Sequence, residues 1–159
     1  KQEQAIISAS LSWDSNFLTF CFCLILIKNI GSKRFGMQLL LRGIYIHNDL
    51  FYIHVSLSNS SNVNFDIDHI RFRIADRKVA KRTALQETFV EPVRAYNAIA
   101  AVKAGETLRN VYVFQKFTIP DDKVLIMDVF EKNGGRHQSF MIQNTDLVDA
   151  HTVEELKIR

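Results

Sequence analysis

The stretch from Gly43 to Thr83 constrains the fold more than any other part of the chain. Within it Phe51, Ile53, Val55 and Leu57 alternate with Tyr52, His54, Ser56 and Ser58. A period of two separates the sets onto opposite faces only when the backbone is extended, so this segment is a strand with one buried face. Ile70, Phe72 and Ile74 alternate with Arg71 and Arg73 in the same way, which gives a second strand a basic outer face. Upstream, Leu39 and Leu41 share one parity and Ile44 and Ile46 the other, with Gly43 between them. A parity change at a glycine predicts a β-bulge. Asn48 and Asp49 tolerate left-handed conformations, and a two-residue turn there sets Ile46 opposite Phe51 and Ile44 opposite Ile53.

A second hairpin is legible near the C-terminus. Leu125, Met127 and Val129 share a face, as do Phe140 and Ile142, and Asn133-Gly134-Gly135 lies between the arms. A turn centred on Asn133-Gly134 pairs Met127 with Phe140 and Leu125 with Ile142, and sets Glu131 opposite Arg136; centring on Gly134-Gly135 keeps the same residues inside. The expected core is Ile44, Ile46, Phe51, Ile53, Val55, Phe72, Ile74, Leu125, Met127, Val129, Phe140 and Ile142. Thr107–Phe117 is strand-like, and Glu87–Tyr96 is extended, with Pro92 marking an edge or a crossover between sheets. Asp76-Arg77-Lys78 reads as a turn with Val79 and Ala80 in a short returning strand, and Asn97–Glu106 as a helical turn or irregular strand. Thr152 followed by Glu155 matches a capping box and suggests a short C-terminal helix.

The N-terminal part is different in kind. Gln2–Ser10 is read as a short helix or ordered tail. Phe17–Ile27 is the most apolar run, but its eleven residues are too few for a membrane-crossing helix, which takes about 20. Glu3 and Asp14 precede it and Lys28-Asn29-Ile30-Gly31 follows, unlike the flanks of a signal peptide. A strand buried on both faces fits best, with Cys21 and Cys23 as small apolar fillers, since an i, i+2 pair is poorly placed for a mutual disulfide. Asn29–Gly36 has linker composition. The expected organisation is an N-terminal segment over 1–36, a β domain over 37–144, and a tail or short helix over 145–159.

Residues that could carry chemistry are sparse. No GxSxG, Walker A, HExxH or GxGxxG pattern occurs. The five histidines, His47, His54, His69, His137 and His151, are dispersed, and the plain reading is surface or half-buried side chains; a metal site would need strands to bring His54 and His69 together. Asp66 and Asp68 could start a calcium site or an acid/base pair, but they read more simply as a solvated loop edge. The formal net charge of +3 comes from scattered Lys and Arg, whereas phosphate binding needs a concentrated basic face, so direct nucleic-acid binding is not expected. Neither catalytic residues nor cofactor or metal ligands are expected.

From about Gly43 to Ile142 the chain resembles the TraN family of Bacteroides-type conjugative transposons. The residues that carry the resemblance are GIYIHNDLFYIHVSLSNSSNVNFDIDHIRFRI, then DRKVAKRTALQE with Pro92 after it, then KFTIPDDK and EKNGGRH. The resemblance implies a non-catalytic component of a type IV secretion-like conjugation apparatus, located at the cell envelope in the periplasm or near the outer membrane. Its partners would be other conjugative-transfer proteins of the mating complex, with membrane association through them, and with self-association open. By analogy with other envelope secretion components, the fold would be an immunoglobulin-like antiparallel β sandwich. The segment before Ser32 shows no such resemblance, and no family ligand motif is carried over.

A protein-contact face is expected where Arg71, Arg73, Lys81 and Arg82 are displayed, with charge reversal at Arg71 and Arg73 leaving stability nearly unchanged. An envelope adhesive or glycan-binding module would instead show Tyr45, Tyr52, Tyr96 and Trp13 on one exposed platform. A small hydrolase would need carboxylates such as Asp66 with Asp68, or Asp128 with Glu131, facing one cleft.

Overall fold

Both hairpins form in the registers that side-chain parity requires in the computed structural model, whose described residues are 30–78 and 86–152. The elements are β1 (Gly31–Arg34), β2 (Met37–His47), β3 (Leu50–Asn59), β4 (Phe65–Asp76), β5 (Thr88–Phe89), β6 (Arg94–Ala95), β7 (Ala101–Val102), β8 (Thr107–Gln115), β9 (Lys123–Glu131), β10 (Gln138–Ile142), α1 (Asn144–Val148) and β11 (His151–Thr152). Ile46 pairs with Phe51 and Ile44 with Ile53 across β2 and β3. Asn48 and Asp49 have φ of 48° and 59°, so positive values at both central residues make the turn type I′. The register shifts between Leu41 and Gly43, as the parity change requires. A Cβ on Gly43 would sit 2.7 Å from the Tyr45 hydroxyl, which reserves the bulge for glycine. Across β9 and β10, Met127 pairs with Phe140 and Leu125 with Ile142.

The strands make two antiparallel sheets packed face to face. One has the order β1-β2-β3-β8-β6 with β11 on β2; the other has the order β10-β9-β4-β5 with β7 on β4. The series β2-β3-β8-β6 and β10-β9-β4 are the A-B-E-D and G-F-C orders of an immunoglobulin-like sandwich. Pro92 lies between β5 in the second sheet and β6 in the first, so the predicted crossover is there.

The core fills the gap between the sheets. All twelve expected positions belong to it, with Ile46 and Ile74 partly buried at its margin. Phe72 on β4 meets Tyr112 and Phe114 on β8 edge to face, with ring centroids 5.1 and 4.9 Å apart. Such tilted contacts add to the burial of large rings. Helix α1 is short because its only buried residue is Leu147, and it starts at a capping box in which the Gln143 N–H donates to Asp146 Oδ2.

Several local expectations need correction. Part of the Asn29–Gly36 stretch is strand β1, paired along β2 from Gly31 opposite Leu40 to Arg34 opposite Met37. Thr152 lies in β11, parallel to β2 and opposite Ile46, and a short helix near the C-terminus begins earlier, after Gln143, while Glu155 falls outside the described residues. Of the two readings of Asn97–Glu106, the strand is the one that forms: the segment holds the two-residue strand β7, which pairs with the start of β4. Sheet pairing thus reaches to 31 on one side of the 37–144 span and to 152 on the other. The Gln2–Ser10 helix, the Phe17–Ile27 strand with Cys21 and Cys23, and the Val79–Ala80 strand fall outside the described residues. Among the described residues no helix is long and apolar enough to cross a membrane.

Candidate functional site

The outer face of the β10-β9-β4-β5 sheet holds the two described members of the expected contact face. Phe72 faces the core, so Arg71 and Arg73 on either side of it face outward. They stand opposite Asp128 and Ile126 of β9, and Phe89 of β5 stands opposite Arg73. His69, Phe130 and His137 form a row across the sheet: the His69 and Phe130 rings stack at 4.3 Å, and the Phe130 and His137 rings at 4.6 Å. The Arg71 guanidinium lies 4.7 Å from the Phe130 centroid and 5.7 Å from that of Phe89. Phe89 and Met141 are each 57% exposed, so apolar surface flanks the cationic centre on both sides. Lys81 and Arg82 lie outside the described residues.

The arginines are not free charges. Asp128 is 1% exposed in the middle of this face. Arg73 Nε donates to its Oδ2 at 2.8 Å and Arg71 Nε at 3.3 Å, while Ser139 Oγ donates to Oδ1 at 2.9 Å. Burial pushes the Asp128 carboxyl up, but hydrogen bonds from Arg73 and Ser139 and the charges of Arg73 and Arg71 outweigh it and hold the pKa below the ordinary value. Arg73 also donates to Glu87 from Nη1. The expectation that reversing Arg71 and Arg73 would spare stability is therefore corrected: both partners of a buried carboxylate would become anions. What remains for a partner is the outer rim of the guanidinium groups, the stacked rings, Phe89 and Met141. Aromatic residues, methionine and arginine are the types enriched at protein interfaces.

The other residues singled out from the sequence are distributed as follows. His54 and His69 lie on the outer faces of different sheets, so the strands do not bring them together. His54 is buried, not superficial, and the loss of solvation together with the Arg109 and Arg42 charges lowers its pKa from 6.5 to about 4. Asp68 falls at a register shift in β4 and meets His69 Nδ1 at 2.7 Å instead of joining Asp66. Asp128 and Glu131 are each occupied by arginine. Tyr45 and Tyr52 are fully buried in a cluster with Val111 and Val113 on the outer face of the first sheet, so they form no exposed aromatic platform. Among the described residues no three His, Cys, Asp or Glu side chains gather as metal ligands.

Sequence reasoning missed a polar clamp at one end of the sandwich. Arg136 Nε and Nη2 donate to Glu131 Oε1 at 2.9 and 2.6 Å; Nη1 donates to Ser61 Oγ at 3.0 Å and Nη2 to the Asn64 carbonyl at 2.7 Å. The hydrogen bonds from Arg136 hold the Glu131 carboxyl below its usual range. A Cβ on Gly134 would sit 2.2 Å from Glu131 Oε2, so the glycine makes room for the carboxylate. Glu131, Gly134 and Arg136 of the EKNGGRH string thus tie the β9–β10 turn to the β3–β4 loop. The pairing of Glu131 with Arg136 was visible in the hairpin register, but nothing in the sequence pointed to the loop as their third partner.

No curated protein matches the chain. The model of the family described as Domain of unknown function (DUF4138) matches residues 25–152. That match covers more than half of the 159 residues, and the chain belongs to this family.

Proposed function

We propose that the chain is a non-enzymatic structural subunit of a conjugative, type IV secretion-like DNA-transfer apparatus, acting by protein contacts at the cell envelope. The observation that carries this reading is the resemblance to TraN proteins from Gly43 to Ile142, which runs through both hairpins and ends within the sandwich. The outer face of the β10-β9-β4-β5 sheet supports it, because Arg71, Phe89, Phe130 and Met141 offer an amphipathic contact surface on a rigid support. A glycan-binding role draws no support from Tyr45 and Tyr52, whose rings are buried.

Phe89 and Met141 are exposed and their side chains make no hydrogen bond to the Asp128 network, so Phe89→Ser with Met141→Ser strips the apolar rim of the face without placing a new charge beside Arg71 and Arg73. The double variant should lower transfer frequency by tenfold or more while its melting temperature and cellular level stay at wild type. Wild-type transfer by that variant removes this face as the docking surface. Wild-type transfer by a donor lacking the whole chain removes the apparatus reading itself.

A further inference from the structure

We infer that the end of the sandwich carrying the β1–β2, β3–β4, β7–β8 and β9–β10 turns is a tip that inserts into the interface of an anionic lipid bilayer. This does not rest on the apparatus reading, and it uses a surface distinct from the outer sheet face. The four turns are bound together. The Ser60 N–H donates to the Gly36 carbonyl at 2.8 Å, Asn59 Nδ2 donates to the carbonyls of Val63 and Val102 at 2.8 and 3.1 Å, and the Ala104 N–H donates to Asn64 Oδ1 at 3.0 Å. Arg136 adds the β9–β10 turn through Ser61 and Asn64. The tip is therefore stiff, and what projects from it is held in place.

Two large apolar side chains project from it, Phe35 at 62% and Val63 at 64% exposure. Phe35 has φ of 55°, a left-handed conformation that costs a non-glycine residue stability. The Arg34 guanidinium is 5.7 Å from the Phe35 ring, and the Phe35 side chain stays largely exposed. Strain of this kind, at an exposed aromatic on a rigid turn, points to a role outside the fold.

The surroundings are cationic. Lys33, Arg34, Lys103 and Lys132 are exposed and form no ion pair among the described residues. Of the nearby acids, Glu131 is paired with Arg136, while Glu106, which accepts from the Lys103 backbone N–H, and Asp66 keep their charges, so the four cations face two acids. Two exposed apolar side chains on turns that also carry four exposed cations fit phosphate headgroups over an apolar layer, which needs no positional match. A protein partner would need about 800 Å² of complementary surface on this chain, whereas among the described residues the exposed large apolar side chains on these turns are Phe35 and Val63 alone.

The test is flotation of the full chain with vesicles. Vesicles of phosphatidylethanolamine with about one third phosphatidylglycerol should bind it in low salt, and phosphatidylcholine vesicles should not. Lys103→Gln with Lys132→Gln should weaken binding roughly 25-fold, at about fivefold per cation. Phe35→Asn with Val63→Ser should weaken it by tenfold or more; asparagine suits the φ of Phe35, so folding is preserved. The apolar Phe17–Ile27 run is unchanged in every variant, so binding that persists undiminished in them overturns the proposal. Absence of binding to anionic vesicles overturns it equally. So does binding to soluble polyglutamate at matched charge that equals vesicle binding and ignores Phe35 and Val63, because that marks an acidic protein as the partner.

Discussion

Lowering the pH should destabilise this domain through His54 before it affects any carboxylate. The imidazole is 1% exposed on the outer face of β3. The β2 bulge at Arg42-Gly43 places Gly43 across from it, and Arg109 lies diagonally across on β8. Its pKa falls from 6.5 to about 4 because burial, Arg109 and Arg42 all oppose protonation. A base whose pKa drops on folding is held neutral, so the unfolded chain binds the extra proton. Stability is then complete above 6.5, falls as pH drops through the interval, and levels off below about 4. Linkage over that interval gives a loss of about 2 kcal/mol between about pH 7.5 and pH 5, approaching roughly 3 kcal/mol at the acid limit. Urea unfolding at half-unit pH steps, beside His54→Gln, isolates this histidine from the exposed ones. The variant should be nearly flat where wild type falls. A variant with the same slope as wild type, or a wild type with none, refutes the reasoning.

Other perturbations follow from specific contacts. Reversing Arg71 and Arg73 to glutamate should cost about 3 kcal/mol or more in denaturant unfolding, since Asp128 loses both cations and gains two anions. Below the ordinary carboxylate range Asp128 contributes a second acid transition: its folded pKa is depressed, so its stabilisation is present above the unfolded value and is lost as pH falls through the folded one. Gly134→Ala should cost about 1–3 kcal/mol by displacing Glu131 from Arg136, and hydrogen exchange should quicken at the Ser61–Asn64 amides. Phe35→Gly should raise stability by up to about 1 kcal/mol through relief of the left-handed backbone, read as a higher melting temperature.

The local geometry was legible wherever side-chain parity met turn chemistry. Gly43 between two parity classes revealed the bulge, Asn48-Asp49 revealed the type I′ turn, and the residues around Asn133-Gly134 yielded the second register. The sheet order was not legible from parity, because parity says which face is buried and not which strand lies alongside. β8 lies between β3 and β6, and β9 beside β4, through pairings that depend on the packing of the whole core. His54 was misjudged for a related reason. Its parity put it on the outer face of β3, and nothing local showed that this face is itself buried. Arg71 and Arg73 were placed correctly on the outer face, yet their charges are paired by Asp128, which is 55 or more positions away in sequence. A single strand's pattern contains no information about a partner at that distance.

The manner in which β2 is bordered limits how copies of this domain can associate. Its first half is lined by β1 running antiparallel and its second half by β11 running parallel, so that margin has little unpaired backbone for a neighbour's strand. The opposite sheet margins end in β5 and β6, each only two residues long. β10 has β1 next to it, with Gln138 Nε2 donating to the Arg34 carbonyl at 3.2 Å. Continuous hydrogen-bonded ribbons running from one molecule to the next are therefore disfavoured. Among the described residues, contacts between copies of this domain then fall to side chains, and so their spacing and reversibility are open to single substitutions in a way that a shared sheet's would not be.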